Sequence, residues 1–305
     1  MFAPRFAILF RVPMLLLVAL AVLPMLAPAQ AAGADQPQKL KALIIDGQNN
    51  HNWKKTTPLL RAALENSGRF TVEVATTPQD KSQWESFKPD FAQYQVIVSN
   101  YNGDEWPEAT KKAFEDYVKG GGGFVPVHAA NNSFPKWVEY NRMIGVGGWG
   151  GRNEKSGPML IWRNGKIERV AGKGGGGSHG PYHEFPVDTR VKDHPITQGL
   201  PDRWMHTGDE LYATLRGPAE NVTVLATAQA AKGSTGENEP MLMVIDYGKG
   251  RVFHTTLGHD ERSMKCVGFA TTLTRGAEWA ATGKVTQKVP ENFPTADKVS
   301  TWEPQ

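Results

Sequence analysis

The order of apolar and amphipathic segments in the first half of the chain predicts an α/β fold with a doubly wound, mostly parallel sheet. The first apolar run, Ala42–Gly47, is continuous, which is typical of a strand buried on both faces, as in a parallel sheet. Segments with strand and helix patterns then alternate up to Val127 in the order strand, helix, strand, strand, helix, strand. This alternation favours helices on both faces of one sheet.

Each segment of this half is predicted from its local pattern. Thr56 or Thr57, followed by Pro58, forms an N-cap and first-turn signal for a helix that ends near Gly68. The segment Pro107–Lys119 predicts a second helix, because its apolar residues recur at roughly helical spacing. Two further strands and one polar connection complete this half: Phe70–Val74, Tyr94–Ser99 and Gln79–Asp90.

Four glycines, Gly120–Gly123, end the second helix and lead into the short apolar strand Phe124–Val127. Glycine readily adopts positive φ and does not sustain a helix, so a sharp turn is expected here. His128 follows this strand directly. Ligands of open α/β sheets bind beyond the carboxyl ends of the strands, so His128 is a candidate site residue, with a satisfied core or loop histidine as the alternative.

The second half of the chain is less regular. From Asn131 to about His183 the periodicity fails and glycines accumulate, which predicts a glycine-rich insertion with a functional or mobile loop. Two later apolar runs, Met241–Asp246 and Arg251–Leu257, flank a glycine-containing loop and predict a β-hairpin. The remaining predicted elements are strands at Tyr182–Val187 and Val222–Ala226, a turn into a short helix at His194–Thr197, and a last helix at Val267–Ala281.

Residues 1–31 have the features of a secretory signal peptide. Two arginines precede an apolar run from Met14 to Leu26, and Ala29-Gln30-Ala31 is a small-x-small cleavage site. We therefore expect an exported protein, periplasmic or extracellular after cleavage near Ala31, with no stable membrane span. The remaining divisions are a linker at 32–39, the α/β domain at 40–285 and a polar C-terminal tail at 286–305.

The composition favours a small-molecule ligand over a nucleic acid. The formal net charge is +3 at pH 7 and falls to +1 when the signal peptide and its two arginines are removed, so no basic surface for a nucleic acid or an anionic membrane is expected. Cys266 is the only cysteine. It lies outside any glycine-flanked elbow and is interpreted as structural. The oligomeric state cannot be predicted from these features.

Four histidines stand near strand ends or in crevice loops: His51, His128, His206 and His259. Because the ends of parallel strands meet at one edge of a sheet, His51 and His128 are expected to converge, with His259 following the last strand in the same sense. Neutral imidazole can act as a general base, a proton shuttle or a metal ligand. The carboxylates that can orient these rings or complete a coordination shell are Asp209, Glu210 and Asp260.

We predict proton transfer by His128, His259, Glu210 and Asp209, and substrate contacts from His51, Asn52, Trp53, His206 and Asp260. A divalent metal is an alternative, since histidine and carboxylate sets suit zinc and similar ions. Its ligands would be His51, His128, His206 and His259. The spacing is not that of HExxH, and His179 and His183 lie in a segment too glycine-rich for a helix. The GxGxxG pattern at Gly145–Gly150 follows no strand-to-helix turn, so no dinucleotide is expected.

Six stretches of the chain resemble the ThuA-like family, which takes its name from a bacterial trehalose-utilisation protein. They are ALIIDGQNNHNW, GGGFVPVHAA, YHEFPV with DHPITQGLP, HTGDELY, YGKGRVFHTTLGHD and RGAEWAATG. Together they cover nearly all of the chain after the predicted signal peptide.

The resemblance implies a fold similar to class I glutamine amidotransferases, within the flavodoxin-like group. In that related fold a nucleophilic cysteine follows the strand that here ends at His128, and a later His-x-Glu completes a triad. His259 and Glu261 match the His-x-Glu letters, but no cysteine lies near position 128, so glutaminase activity is not expected. The family's link to disaccharide catabolism and 3-keto sugars implies a carbohydrate substrate.

Three hypotheses follow. The first is an exported enzyme that acts on a glycoside or 3-keto sugar by elimination, hydrolysis or isomerisation, with His128 or His259 as base and Glu210 or Asp209 as the partner acid. The second is a non-catalytic periplasmic module that binds sugars or takes part in an assembly. The third is a metal-dependent hydrolase.

Overall fold

A mixed sheet of 11 strands runs through the domain. The computed structural model describes residues 1–4, 6–9, 38–231 and 234–304. Most of the predicted signal peptide and of the linker at 32–39 therefore lies outside the described residues. Residues 38–305 form one compact unit. No helix in the described part of the chain has both the length and the apolar character needed to cross a bilayer.

The strands are β1 (Leu40–Asp46), β2 (Phe70–Thr76), β3 (Val96–Ser99), β4 (Gly123–Pro126), β5 (Met159–Arg163), β6 (Lys166–Val170), β7 (Ser178–His179), β8 (His183–Thr189), β9 (Arg203–Asp209), β10 (Tyr212–Ala213), β11 (Val222–Gln229), β12 (Asn238–Tyr247) and β13 (Gly250–Thr255). The helices are α1 (Trp53–Asn66), α2 (Glu108–Gly120), α3 (Val138–Ile144), α4 (Glu261–Met264) and α5 (Val267–Thr282). The main sheet has the order β2-β1-β3-β4-β13-β12-β11-β8-β9, with β5 and β6 attached at β12. The short strands β7 and β10 pair separately.

The first half of the sheet is parallel and doubly wound, as predicted. Strands β2, β1, β3, β4 and β13 pair in parallel. Ala42 and Ile44 of β1 belong to the core cluster that contains residues of α1 and α5, whereas Leu43 and Ile45 belong to the cluster that contains α2. Because successive side chains of a strand point to opposite faces, only a continuous apolar run can bury both faces under helices.

The second half of the sheet is antiparallel. The predicted hairpin is present, with Tyr247 of β12 opposite Gly250 of β13. The antiparallel pairing then continues beyond this hairpin through β11, β8 and β9. The α/β fold class is confirmed, and the sheet is mixed.

Two predicted element boundaries differ from the structure. Helix α1 begins at Trp53, not after an N-cap at Thr56 or Thr57. The hydroxyl groups of both threonines instead accept hydrogen bonds from the side-chain amide of Asn100. The predicted short helix after His194 is a single hydrogen-bonded turn, in which the amides of Thr197 and Gln198 bond to the carbonyl of His194.

The glycine-rich insertion is more ordered than its sequence pattern indicates, because it contains α3 and the β5–β6 hairpin. Two buried arginines hold its irregular parts. The guanidinium of Arg152 donates to the carbonyl groups of Asn132, Ser133 and Gly148. That of Arg216 donates to several glycine carbonyls of the insertion, including Gly172 at 2.7 Å. Backbone groups that lack a regular partner are thus satisfied by side chains.

The C-terminal segment 286–304 has no helix or extended strand, but it packs back onto the domain. Thr301 forms an isolated bridge with Cys266 at the start of α5. The indole of Trp302 donates to the carbonyl of Met264 at 3.0 Å.

Candidate functional site

The polar side chains of interest meet at the carboxyl edge of the parallel strands. His51 lies in the loop after β1, His128 follows β4, and His259 lies in the loop after β13. Since these strands run parallel, their ends lie at the same edge of the sheet. Glu210 reaches the same place from the end of β9. Four segments that are distant in sequence therefore contribute to one site.

His128 has an uncommon backbone conformation at the end of its strand. Its φ is 47°, in the left-handed region that residues with a Cβ rarely adopt. Its Nδ1 lies 2.7 Å from the carbonyl oxygen of Thr256. A carbonyl can only accept, so in the neutral ring Nδ1 carries the proton and Nε2 keeps its lone pair. The side chain is 2% exposed, and Nε2 is buried without a hydrogen-bond partner.

Asp209 is a buried anchor beneath the site. Its carboxylate accepts hydrogen bonds from the backbone amides of Glu210, Gly258 and His259 at 2.8, 2.8 and 3.1 Å. Nε2 of His206 donates a fourth, at 2.8 Å. Burial by itself raises the pKa of a carboxyl group, but the hydrogen bond and charge of His206 lower the pKa of Asp209 below its ordinary value. Asp209 therefore holds the backbone of two other site residues, Glu210 and His259, in position.

Gly258 allows the loop after β13 to approach this carboxylate. Its φ is +111°, and a Cβ at this position would lie 2.9 Å from the ring of Phe269. Only glycine adopts such a conformation without strain. The two successive amides of residues 258 and 259 can consequently both face Asp209.

Four side chains form what we call the His–Glu cluster: His51, His128, Glu210 and His259. One nitrogen or oxygen from each lies within 4.8 Å of those of the others. Oε2 of Glu210 is 3.1 Å from Nδ1 of His259 and 3.9 Å from Nε2 of His128. Despite the shorter distance, the orientation of the His259 ring leaves Nδ1 buried without a hydrogen bond. The centroid of the His51 ring lies 4.9 Å from that of His128 and 4.3 Å from that of His259.

Burial and proximity set the charges of the cluster. Burial, together with the neighbouring rings of His128 and His259, lowers the pKa of His51 to about 3, so this ring is neutral at pH 7. Burial raises the pKa of a glutamate, but the proximity of His128 and His259 holds the pKa of Glu210 below its usual range. Burial lowers the pKa of His259, and Glu210 raises it above the ordinary value. The cluster thus combines an ionised carboxylate with closely packed imidazoles.

A cavity of about 370 Å³ is lined by two members of the cluster, His51 and Glu210, whereas His128 and His259 lie behind its lining. Its volume is within the range of small-molecule sites. Nε2 of His179 lies 3.8 Å from Oε1 of Glu210, so the carboxylate faces His179 with one oxygen and the cluster with the other. The Tyr212 hydroxyl lies 3.2 Å from Nε2 of His51, and the Trp149 and Tyr212 rings are 4.7 Å apart. The residues that line the cavity are Asn50, His51, Asn102, Asn132, Trp149, Gly150, His179, Glu210 and Tyr212.

A larger groove of about 680 Å³ lies beside β5, β8 and β9. Its arginines are paired with carboxylates on the same surface: Arg190 and Arg203 with Asp188, and Arg163 with Glu237. This groove contains none of the predicted site residues. The smaller cavity, where the titratable side chains converge, is therefore the candidate functional site.

Several residues predicted to contact substrate or metal lie outside the cavity lining. His206 is 0% exposed and faces Asp209, so Glu210 occupies the place in the cluster that His206 was expected to take. Asn52 and Trp53 are at the start of α1, where the Asn52 carbonyl accepts from the Lys55 amide. Asp260 caps α4 by accepting from the amide of Ser263 and also accepts from the Tyr182 hydroxyl.

Seven cavity residues were not assigned to the site from sequence: Asn50, Asn102, Asn132, Trp149, Gly150, His179 and Tyr212. The strand-end rule could have identified Asn102, which follows β3 closely, and Asn132, which lies in the turn after β4. Tyr212 has the pattern of a core residue and is 1% exposed, yet its hydroxyl reaches His51. His179 lies in the glycine-rich insertion, and its position depends on the pairing of β7 with β10.

The doubly wound sheet, with a polar cavity and a His–Glu cluster where its parallel strands end, defines an α/β protein with a candidate small-molecule site at the carboxyl edge. Within that class, the chain belongs to the ThuA family, whose family model is described as "Trehalose utilisation" and matches residues 41–280. The resemblance inferred from the six sequence stretches is thereby confirmed. The family description relates the protein to carbohydrate metabolism.

Solved structures agree with this assignment. A ThuA-like protein from Parabacteroides merdae is 48% identical, with a TM-score of 0.84 over 87% of this chain and 98% of that one. A ThuA-like protein from Bacteroides uniformis is 20% identical, with a TM-score of 0.53 over 87% and 98% of the two chains, and shares the fold. No curated protein matches the chain.

Proposed function

We propose that this protein is a carbohydrate-processing enzyme that acts on a glycoside or 3-keto sugar by acid/base chemistry. The observation that carries the proposal is the convergence of three imidazoles and one carboxylate, two of which, His51 and Glu210, line a cavity with polar and aromatic walls. Such a concave site with a few convergent titratable groups is typical of an enzyme active site. The family's relation to trehalose utilisation supports a sugar as the ligand.

The walls suit a ligand with many hydroxyl groups. The side chains of Asn50, Asn102 and Asn132 offer both donors and acceptors, and Trp149 offers an apolar ring face. A sugar ring presents hydroxyl groups at its edge and C–H groups on its faces, so these two kinds of wall match it.

The proposed reaction begins with proton removal from carbon. A ketone at C3 acidifies the C2–H bond, and the His–Glu cluster supplies the base that takes this proton. The electrons of the C–H bond form a C1–C2 double bond while the glycosidic C1–O bond breaks, and the departing oxygen takes up a proton. His179 lies in the cavity wall next to Glu210 and is placed to donate that proton. No covalent nucleophile is needed.

Glutaminase activity is not part of the proposal. Cys266 is buried at the start of α5 and does not line the cavity. The position after β4, where an amidotransferase of related fold has its cysteine, holds His128, and His259 and Glu261 of the His-x-Glu pattern face different partners: Glu210 and Lys55.

Export is also part of the proposal and is supported by the basic residues, apolar run and Ala-x-Ala site of residues 1–31. Expression of the full chain followed by cell fractionation and N-terminal sequencing tests it. A mature N-terminus near residue 32 in the exported fraction is expected, and an intact Met1 in the cytosol would refute it.

The enzymatic proposal is tested by incubating the protein with trehalose, other disaccharides and their 3-keto forms in D₂O. We expect deuterium to enter at the carbon next to the ketone, seen by NMR, and a free sugar to be released, seen by mass spectrometry. The variant with both His128→Ala and His259→Ala should lose both signals.

His194→Ala is the matched control, because it removes an imidazole that packs on Trp279, away from the cavity. It should keep wild-type exchange. Binding of a sugar without exchange or product would instead identify a non-catalytic sugar-binding module. Exchange that persists in the folded double variant would remove the mechanism.

A further inference from the structure

We propose that the His–Glu cluster binds one divalent transition-metal ion, with zinc as the first expectation. This site deepens the proposed function, on which its catalytic role depends, because the ion would lie beside the same cavity. The ligands are His51, His128, His259 and Glu210, a set that differs from the four-histidine set predicted from sequence by having Glu210 in place of His206.

The first argument is the donor set. Three imidazole nitrogens and one carboxylate oxygen come from four separate segments, and all lie within 4.8 Å of one another. Imidazole and carboxylate are the ligands that zinc and similar divalent ions take in proteins. Four ligand atoms in this space need only small side-chain shifts to reach bonding distances of about 2.0–2.2 Å from one ion.

The second argument is that two buried nitrogens of the cluster lack partners. Nε2 of His128 and Nδ1 of His259 are both inaccessible to solvent and make no hydrogen bond. A buried polar atom without a partner destabilises the folded state. Bonds to a shared ion would satisfy both atoms at once.

The third argument concerns His128 and Glu210, which face each other as two acceptors. Nδ1 of His128 donates to the carbonyl of Thr256, so its Nε2 presents a lone pair toward a carboxylate oxygen 3.9 Å away. A metal cation between these two acceptors would bind both of them. The carbonyl bond to the far nitrogen is also the arrangement that metal-binding histidines use to fix ring orientation.

Neighbouring residues hold two of the ligands in place. Asp209 holds the backbone of both Glu210 and His259 through amide hydrogen bonds. Oε1 of Glu210 remains free on the cavity side, facing His179. The ligands are thus held from beneath, and the cavity beside His51 and Glu210 gives a substrate oxygen a path to the ion as an additional ligand.

Such an ion has a defined task in the proposed reaction. It would accept the C3 ketone oxygen as a ligand and stabilise the negative charge that this oxygen gains when the C2 proton leaves. The proton passes to Oε1 of Glu210, whose other oxygen is the metal ligand. Glu210 would thereby act both as a metal ligand and as the base.

The test uses the full chain, purified without chelator and analysed for metals, then stripped and titrated with Zn²⁺, Mn²⁺ and Co²⁺. We expect about one bound ion per chain, a higher Tm on addition of metal, and visible d–d absorption from Co²⁺. The variants His51→Ala and His128→Ala should each weaken metal affinity by more than about 100-fold, exceeding the effect of losing an outer hydrogen bond.

His179→Gln is the matched control, since it alters the same cavity without removing a ligand, and it should keep wild-type metal affinity. Absence of binding for all three ions, or equal loss in His179→Gln, would overturn the metal site. A metal-bound protein that shows no sugar turnover would retain the metal site and refute the proposed function. Full turnover by a metal-free protein would retain the proposed function and refute a role of the ion in it.

Discussion

Asp209 and Glu210 are neighbours in the chain, but they lie in opposite environments. The Asp209 side chain is 0% exposed, and it accepts four hydrogen bonds, one of them from the equally buried His206. The Glu210 side chain is 18% exposed and lies within 3.9 Å of three histidines without regular hydrogen bonds to them.

The difference separates structural from chemical roles within one dipeptide. Each acceptor position that Asp209 uses is filled by a protein donor, so this carboxylate stabilises the loops and has no capacity left for a ligand. Glu210 has oxygens directed at a cavity and at a cluster of nitrogens, so it keeps that capacity. A carboxylate at a site edge is therefore best classified by whether its hydrogen-bonding positions are already filled.

The contrast between Asp209 and Glu210 predicts its largest effect for a substitution at Glu210. Replacement by glutamine removes the negative charge and one acceptor from the cluster while keeping the side-chain volume. Loss of a proton-transfer group lowers rates by about 10²–10⁴-fold, so deuterium exchange into a 3-keto sugar should fall by that factor. The free energy of unfolding should change by less than about 1 kcal/mol, since the partly exposed Glu210 side chain holds no loop in place.

Exchange kinetics by NMR and urea unfolding of the same samples check this prediction. A Glu210→Gln variant with a rate close to wild type would show that the open carboxylate has no chemical role. A large fall in the free energy of unfolding of Glu210→Gln would show that Glu210, like Asp209, stabilises the loops.

Asp209→Asn should lower the free energy of unfolding strongly and affect turnover only indirectly. The amide group of asparagine would place an N–H donor against backbone amides or His206, which leaves buried donors unpaired. Loss of one partner of a buried, hydrogen-bonded charge pair costs about 3–5 kcal/mol, and we expect a fall of about 3 kcal/mol in the free energy of unfolding. Urea denaturation followed by circular dichroism measures it.

Any loss of turnover in Asp209→Asn should follow from displacement of Glu210 and His259. A crystal structure of the variant in which both side chains keep their positions, together with unchanged stability, would contradict the anchoring role.

A second buried carboxylate, that of Glu239, extends the comparison to the effect of pH on stability. It is 1% exposed, and among the described residues it accepts from the Thr235 hydroxyl and the Thr214 amide and from no cationic side chain. Burial therefore raises the pKa of Glu239 from 4.5 to about 7, whereas the pKa of Asp209 is lowered. The folded state binds the proton more tightly than the unfolded state, so this group stabilises folding fully below pH 4.5, and the contribution is lost as pH rises through about 7.

Glu239→Gln removes this titration, because glutamine is neutral at every pH and can both accept from Thr214 and donate to Thr235. Above pH 7 the variant should be more stable than wild type by about 2–3 kcal/mol, and the two proteins should be nearly equal near pH 4.5. Urea unfolding of both proteins at pH 5 and pH 8 measures the difference. The same difference at both pH values would show that Glu239 does not titrate in this range.

Much of the site followed from one rule about strand ends. His51, His128 and His259 were predicted to converge because each follows a strand of the parallel half, and the structure brings their rings within 5.6 Å of one another. The rule could not separate His206 from this group. His206 lies within β9, and the side of the sheet that it faces depends on what packs there.

The sequence did not indicate His179 and Tyr212 as site residues for a different reason. His179 and Tyr212 reach the cavity on β7 and β10, two strands of two residues each that pair only with one another. Elements this short have no periodicity, and the buried arginines that order the surrounding insertion act over long sequence separations. Local patterns carry no signal for either feature.

The strands and helices of the parallel half, the hairpin and the family could all be inferred from residue order. Their signals are local: a strand buried on both faces must be apolar throughout, and a helix on a sheet must be amphipathic. Which carboxylate anchors the loops and which faces the cavity could not be inferred. That assignment depends on hydrogen bonds between segments that are distant in the sequence, as between Asp209 and Gly258 or His51 and Tyr212, and these pairs form only when the whole sheet has assembled.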